Sequence, residues 1–408
     1  MHLVDTVLPT TLPPGEINLV YRWDQAAPTT YSPYHPLHVA GIIGANSNNA
    51  RIRGISPNVK IAAHGWNQSS VASLVVAIDN AIYVAETLGV HGQLNMSLNT
   101  SNPASNAFAH NGLIGKRMRA ASNRNFITES AGNFNAAACN YGFSYPGGTW
   151  RAYDGIMLVG AIQLNGSRMT GGTNPFPGST VAVDGSNYGN CVEAWAPGHE
   201  ITSLDPVGPS LTRISTGTSY SAPIVASIAS RVGATTTRPI QREWYIRNSR
   251  VNTGYTDPTG LPIMKAQYVG TSLGTIPKIL PIINGWSMTS FTNLTALWDG
   301  LYTSGANWNA GANWGSVSLD LGSIKTVRGV RLTMRSSSTD TSIDFAVLGD
   351  NSGLTTVSTV LGYHNEPYAS DLAPVYIPLS GANVRYLRID GNAYGSWLSY
   401  SEIEVYGD

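Results

Sequence analysis

Hydrophobic and polar positions along the chain follow two different rhythms. Through roughly the first 240 residues, short unbroken apolar runs alternate with segments of helical period. "HLVDTV", "VKIAAHGW", "QLNMSLNT", "NFITESAG" and "GIMLVGAI" read as strands. "HVAGIIGA", "SVASLVVAIDNAIYVAETLG" and "AFAHNGLIGKRMRAASNR" read as helices, the second closing at Gly89. A further helix is predicted in "STGTSYSAPIVASIASRV", residues 215–232, where Ala222, Val225, Ala226, Ile228, Ala229 and Val232 share one face. Strands that are apolar without interruption are buried on both sides. The alternation therefore predicts an α/β fold with a mostly parallel sheet and helices on both faces.

Beyond residue 268 the rhythm changes to period 2. "VGTSLGTIPKILPIINGW" is punctuated by Gly and Pro like a connector. It is followed by "SVSLDLGS", "VRGVRLTMRS", "SIDFAVLGD", "APVYIPLSG", "VRYLRIDGN" and "SEIEVYGD". Short alternating strands with turn residues and no helical period predict an all-β sandwich. The expected organisation is a first domain over 1–268, a linker over 269–283 and a sandwich over 284–408, with no internal repeat.

Composition narrows the function classes. A length of 408 residues suits two or three domains. Net charge is zero and 12% of residues are charged, so no basic surface invites nucleic acid and no polybasic segment invites a membrane. No apolar run reaches 18 residues, so no transmembrane segment is expected. "MHLVDTVLPT" lacks the basic start and apolar core of a signal peptide. A surface rich in Asn, Ser, Thr and Gly suits a protein that is extracellular, secreted or surface-associated, including on a virion. Cys139 and Cys191 are compatible with a disulfide or with two buried thiols.

The candidate chemistry centres on Ser219. A Ser at a helix start is ordinarily an N-cap. A nucleophilic Ser needs a base within hydrogen-bond reach and a carboxylate to orient that base. Asp5 ends the first apolar run, His35 opens a helix, Asn133 follows a strand in "ESAGN", and Ser219 opens a helix in "GTSYSAP". In a parallel sheet such positions gather at the carboxyl ends of the strands. Asp24 stands only eleven residues before His35, which leaves little chain between acid and base; Asp5 is preferred. His38 and Ser221 read as packing residues, and an esterase elbow is disfavoured because Gly-x-Ser-x-Gly is absent around Ser219.

"VDTV", "HPLHVAGIIGA", "GISPNVKI", "LNMSLNT", "ESAGN", "SNYGNCVEAWAPG" and "GTSYSAP" occur in order over residues 3 to about 268. Together they resemble the subtilisin-like serine proteases. The resemblance implies that Asp5 orients His35, that His35 is general base and then acid, and that Ser219 attacks the scissile carbonyl. Asn133 and the Ser219 N–H would bind the oxyanion. It further implies that Ser97, Leu98 and Asn99 pair with a bound peptide and that Ser130, Ala131 and Gly132 line the primary pocket. Small uncharged walls imply a small or apolar preference. Four positions depart from the family: Val7 replaces Gly, Pro36 and Leu37 replace Gly-Thr, and Asn99 replaces Gly. The family's inhibitory propeptide is not seen in the chain, which starts four residues before Asp5.

"TALWDGLYTSGANW", "WGSVSLDLGS" and "YSEIEVYGD" resemble the discoidin, or coagulation factor 5/8 C-type, family over residues 284 to 408. That resemblance implies an all-β jelly-roll sandwich, a module for glycans, surfaces or partner proteins, and a structural calcium on Asp299, Thr303 and Glu402. Trp308, Trp314, His364, Tyr394 and Trp397 are candidate sugar contacts, with Trp314 expected in the core. The expectation is a serine endopeptidase acting on protein or peptide substrates, needing no cofactor for catalysis. The competing expectation is a structural or adhesive component whose protease unit is inactive or acts only in maturation.

Overall fold

The structure, a computed structural model, describes all residues except 13–14, 27–33, 47–51, 69, 101–112, 144–151, 173–182, 207–210, 273, 288–293, 303–307, 310–312, 336–340, 370–371 and 395–397. The chain divides into two compact units, Met1–Gly274 and Thr275–Asp408.

In the first unit the strands are β1 (His2–Thr6), β2 (Leu19–Asp24), β3 (Ile61–Trp66), β4 (Gly92–Met96), β5 (Asn125–Ser130), β6 (Ile156–Ile162), β7 (Ala194–Pro197), β8 (Ile201–Leu204), β9 (Thr212–Ser215), β10 (Val251–Thr256) and β11 (Pro262–Lys265). The helices are α1 (Tyr34–Gly44), α2 (Val71–Thr87), α3 (Leu113–Ala121), α4 (Thr218–Ser230) and α5 (Pro239–Ser249). The main sheet runs β10-β11-β7-β6-β5-β4-β1-β3-β2, and every pair is parallel except β10 with β11. β8 and β9 form a separate hairpin.

The sheet is buried on both faces, as the unbroken apolar strands require. Adjacent residues of β1 show it. Leu3 packs with Leu37, Val39, Ile43 and Ile61. Val4 packs on the other face with Leu74, Ile78, Met118 and Ile127. Each such Leu or Ile side chain, once fully buried, is worth about 1.5–3 kcal/mol of transfer free energy. α2 opens with a capping box: Ser70 Oγ accepts the Ser73 N–H at 3.1 Å, and Ser73 Oγ accepts the Ser70 N–H at 3.1 Å. It stops after Thr87, and Gly89 takes φ +60°, a backbone that suits glycine.

Chain direction fixes where a crevice opens. From β1 the chain continues to β2, on the β3 side; from β4 it continues to β5, on the opposite side. The connections therefore leave the β1–β4 pair in opposite directions, which is the arrangement that leaves room for a ligand at the carboxyl ends of the strands.

The second unit carries β12 (Lys278–Leu280), β13 (Asn284–Ser287), β14 (Trp308–Asn309), β15 (Trp314–Met334), β16 (Thr341–Asp350), β17 (Val360–Ala369), β18 (Pro374–Ala393) and β19 (Ser399–Gly407). All pairings are antiparallel. The first halves of the long strands β15 and β18 serve different layers from their second halves. Trp314–Asp320 and Tyr386–Ala393 lie in a layer with β13, β16 and β17. Val327–Met334 and Pro374–Ala382 lie in a layer with β12 and β19. Between the layers sit Val317, Leu319, Val330, Leu332, Phe345, Val347, Ile389 and Ile403. This is the antiparallel sandwich predicted from period 2.

The sequence reading differs in detail. The expected linker 269–283 includes β12, which pairs with β19 as an edge strand; its Pro residues flank the short strand rather than exclude one. The two pairs of runs read as separate strands are continuous in β15 and β18, where register shifts between Asp320 and Lys325 and between Val327 and Gly329 absorb the bend.

Candidate active site

Ser219 is the second residue of α4, and Gly217, not Ser219, occupies the N-cap position, with no side-chain cap. The capping explanation of Ser219 therefore fails. Its Oγ donates to the Ser97 carbonyl at 3.3 Å instead. The helix start is shaped by a proline in its first turns. Pro223 has no N–H, so the Ser219 carbonyl, four residues earlier, cannot receive the usual helical bond. The Ser97 hydroxyl fills that vacancy, donating to Ser219 O at 2.6 Å. Ser97 Oγ is held in turn by Asn95 Nδ2 at 3.0 Å, and Asn95 Oδ1 accepts from Thr128 Oγ1 at 3.2 Å. A buried polar relay thus runs from β5 through β4 to the serine turn.

His35 lies in the first turn of α1. Pro36, one of the departures from the family pattern, follows it within that turn, where a missing N–H costs no intrahelical bond. His35 Nδ1 donates to Asp5 Oδ1 at 2.8 Å, and the same oxygen accepts the Thr6 N–H at 2.7 Å. Asp5 is 1% exposed, and its second oxygen has no partner among the described residues. Burial opposes a charge on the His35 ring; the Asp5 charge and hydrogen bond outweigh it and hold His35 above the ordinary histidine value. Asp24 pairs with Arg22, which leaves Asp5 as the carboxylate on His35.

His38 and Tyr220 connect α1 to α4. The His38 and Tyr220 rings stand 4.7 Å apart, and the His35 ring lies 6.0 Å from Tyr220, the residue after Ser219. His38 Nε2 meets the Ile201 carbonyl at 3.1 Å; burial, then the neighbouring His35 charge, lowers it to about 3. It is a packed, neutral ring, as its spacing suggested. Ser221 is buried too and donates to the Ala196 and Pro197 carbonyls at 3.0 and 3.2 Å.

Asn133 faces the start of α4. Its Oδ1 accepts both the Thr218 N–H at 2.8 Å and the Thr218 hydroxyl at 3.0 Å. With the oxygen so occupied, Nδ2 is the donating end. Nδ2 borders Gly217, where an added Cβ would come within 3.2 Å of it. The Ser219 N–H belongs to the first helical turn, where the helix supplies no acceptor. Thr218 also accepts the Gly132 N–H at 3.1 Å. Thr218 thus positions both loop residues beside the serine, a role the sequence reading missed; the Thr inside Gly-Thr-Ser is the signal that marks it.

Gly132 has φ +101° and fits between two amides. A Cβ there would lie 2.4 Å from Asn99 Nδ2 and 2.4 Å from Asn187 Nδ2. The Asn99 side chain therefore spans from its own segment to Gly132. Asn187 supports the loop from behind, donating to Ala131 O at 2.8 Å and accepting from Phe134 N and Ala136 N at 3.0 and 3.1 Å. Ser130 and Ala131 are buried, Leu98 and Asn99 half-buried. Farther along, Cys139 and Cys191 form a disulfide, which resolves the two alternatives the sequence left open.

The subtilase family model matches residues 9–252. The chain belongs to the subtilase family. Asp5 precedes the matched span, so its assignment rests on its bond to His35. The Yarrowia lipolytica "Alkaline extracellular protease" is 30% identical over 239 residues, 56% of this chain and 46% of that protein. "Subtilisin Savinase" of Lederbergia lenta is 25% identical over 236 residues, 57% of this chain and 76% of that protein. This subtilase spans about half the length of the first curated relatives it matches. A cold adapted subtilisin-like serine proteinase structure is similar at 20% identity and TM-score 0.49, covering 66% of this chain and 88% of that one. For the second unit, the CBM32 of AlyQ in complex with 4,5-unsaturated mannuronic acid is similar at 20% identity and TM-score 0.28, covering 31% and 97%.

In the second unit, Gly300 N donates to both Glu402 oxygens at 3.1 and 3.2 Å, and Asp299 Oδ1 accepts Leu301 N at 2.8 Å. The two carboxylates thus bracket one turn; Thr303 lies outside the described residues. Trp314 corrects the sequence reading: it is 52% exposed rather than in the core, because it falls on the outward face of β15. Tyr394 is exposed, and His364 is half-buried beside Glu366. The Trp308 side chain and Trp397 lie outside the described residues.

The Asp5 contact has a measurable signature. In a Ser219→Ala protein, the His35 ring should titrate above about 6.5 by NMR, and Asp5→Asn should move its midpoint down, because burial then acts alone. An unchanged or higher midpoint in Asp5→Asn would contradict the pairing.

Proposed function

We propose that this subtilase is a serine endopeptidase that hydrolyses peptide bonds through an acyl-enzyme on Ser219. The observation that carries the reading is the Asp5–His35 bond, made by a base on α1 whose ring borders the residue after Ser219. His35 Nε2 takes the Ser219 proton as Oγ attacks the carbonyl carbon. His35 then returns that proton to the leaving amine, and a water repeats the sequence to release the acid. Asp5 keeps the proton of His35 on Nδ1 and stabilises the cation. Asn133 Nδ2 and the Ser219 N–H face the oxyanion, and the α4 N-terminus adds its partial positive charge. No cofactor enters these steps. An extracellular setting is supported by the disulfide and by the similarity to the Yarrowia lipolytica "Alkaline extracellular protease". No helix among the described residues is long and apolar enough to cross a membrane.

The departure at Asn99 narrows the substrate class. In this reading Ser97–Asn99 pair with the substrate backbone and Ser130–Gly132 line one wall of the primary pocket. An amide reaching between them makes the pocket shallow, so small side chains fit and large ones collide.

The second unit binds a glycan and holds the protease near a glycan-bearing surface, raising its effective substrate concentration. Asp299 and Glu402 offer hard oxygen ligands suited to calcium, with Thr303 as the third residue of the set. Calcium should then raise the melting temperature, and Glu402→Gln should abolish the rise; a melting temperature indifferent to calcium and EGTA would remove the ion from this account.

A fluorophosphonate probe should label Ser219 in the folded protein and leave Ser219→Ala unlabelled. Folded wild-type protein that takes no label would favour the structural or adhesive role over the endopeptidase. With peptide libraries, the wild type should favour Ala, Gly or Ser at the primary position. Asn99→Gly should raise kcat/KM for Leu or Phe there by about tenfold or more. A wild-type preference for large residues, unaltered by Asn99→Gly, would sink the shallow-pocket account.

A further inference from the structure

The outward face of the β13-containing layer carries a trough. Its volume is about 530 Å³, within the range of small-ligand sites. Strand alternation builds it. Inward positions Val317, Phe345, Val347 and Ile389 belong to the core, so their neighbours face out. Register then sets the outward residues in rows. Trp314 opposes Asn392, which opposes Asp344. In the next row Ser316 opposes Asp390, Asp390 opposes Ala346, and Ala346 opposes Tyr363. The small residues Ser316 and Ala346 keep the floor low. Trp314 on β15 and Tyr363 on β17 rise at the two sides, 52% and 75% exposed. Their strands are three steps apart, about 14 Å at ordinary strand spacing.

The polar groups between those walls are already fixed. Arg388 makes a forked pair with Asp390, Nε to Oδ1 at 3.0 Å and Nη2 to Oδ2 at 2.9 Å, and Nη1 donates to Val357 O at 2.8 Å. Asp344 accepts from Tyr394 Oη at 2.5 Å and from Asn365 Nδ2 at 2.6 Å. These hydrogen bonds, Tyr394's first, hold the Asp344 carboxyl below the usual range. Two carboxylates against one guanidinium leave the trough with an excess negative charge. Flat, exposed aromatic walls match the C–H faces of sugar rings, and planar carboxylate, amide and guanidinium groups match pairs of hydroxyls. The acidic excess repels uronate and sulfated sugars.

We propose that this trough, with Trp314 and Tyr363 as walls and Asp344, Arg388, Asp390 and Asn392 between them, binds a neutral oligosaccharide lying across the strands. The proposal rests on the glycan-binding reading of the second unit and locates it on a sheet face.

The test uses the whole chain carrying Ser219→Ala to prevent self-digestion. Native gels containing barley β-glucan or galactomannan are compared with gels containing alginate or polygalacturonate. A neutral polysaccharide should retard the protein, and Trp314→Ala and Tyr363→Ala should each weaken it about tenfold or more. Ile324→Ala, exposed on β15 outside the trough, should behave as wild type, and melting temperatures should show all variants folded. Retardation by a neutral glycan that survives both aromatic substitutions would overturn the trough while leaving glycan binding intact. Retardation by the polyuronates alone would overturn the charge argument and the proposal with it. No retardation by any polysaccharide would remove both the trough and the glycan-binding reading.

Discussion

The serine turn depends on a bond that the helix itself cannot make. Pro223 deprives the half-buried Ser219 carbonyl of its helical partner, and a carbonyl left bare costs up to about 1–3 kcal/mol when fully buried. The Ser97 hydroxyl supplies the donor, so the end of β4 and the start of α4 are tied at Ser219 itself. From this contact the surrounding geometry follows. Asn95 and Thr128 fix the Ser97 hydroxyl, and Thr218, one residue before Ser219, fixes Gly132 and Asn133. The Ser219 turn, the segment that begins at Ser97 and the Gly132–Asn133 loop are therefore one hydrogen-bonded assembly across β4, β5 and α4. Moving any of them leaves a buried polar group unpaired.

Electrostatics act on the same assembly from the other side of the crevice. His35 and His38 lie on one helix, one turn apart, yet their environments push them in opposite directions. Asp5 lifts the first above its ordinary value, while burial and the first ring's charge depress the second to about 3. Only the ring with a carboxylate can hold a proton near neutrality. The neutral ring packs on Tyr220 and so couples α1 to α4 mechanically.

Much of this was legible in the sequence because residue type and position were coupled there. Unbroken apolar strands announced a sheet covered on both faces, and Leu3 and Val4 indeed point into opposite cores. Ser, His, Asp and Asn at strand ends and helix starts announced a polar crevice. What stayed hidden depended on three-dimensional reach. Nothing in "LNMSLNT" says that the Asn99 side chain extends to Gly132, because that contact joins segments 33 residues apart. Likewise, "VLGYHNEPY" is too mixed in polarity to read as a strand, so Tyr363 went unnoticed until its pairing with β16 set it opposite Ala346. Trp314 was misplaced for a related reason: large aromatics before a strand usually pack inward, and only the register reveals its outward face.

The continuity of β15 and β18 through both layers of the sandwich has a consequence for precision. In a pair of independent sheets, either could slip by one residue and turn its outward side chains into its core. Here a slip on the Trp314 end would have to travel along the same backbone and misalign Val330 and Leu332 at the far end. The irregularities near Asp320 and Val327 bend the strands without freeing one half from the other. The spacing of groups on the exposed face is thus calibrated by hydrophobic residues that never touch it, as the teeth of a gauge are set by the bar behind them.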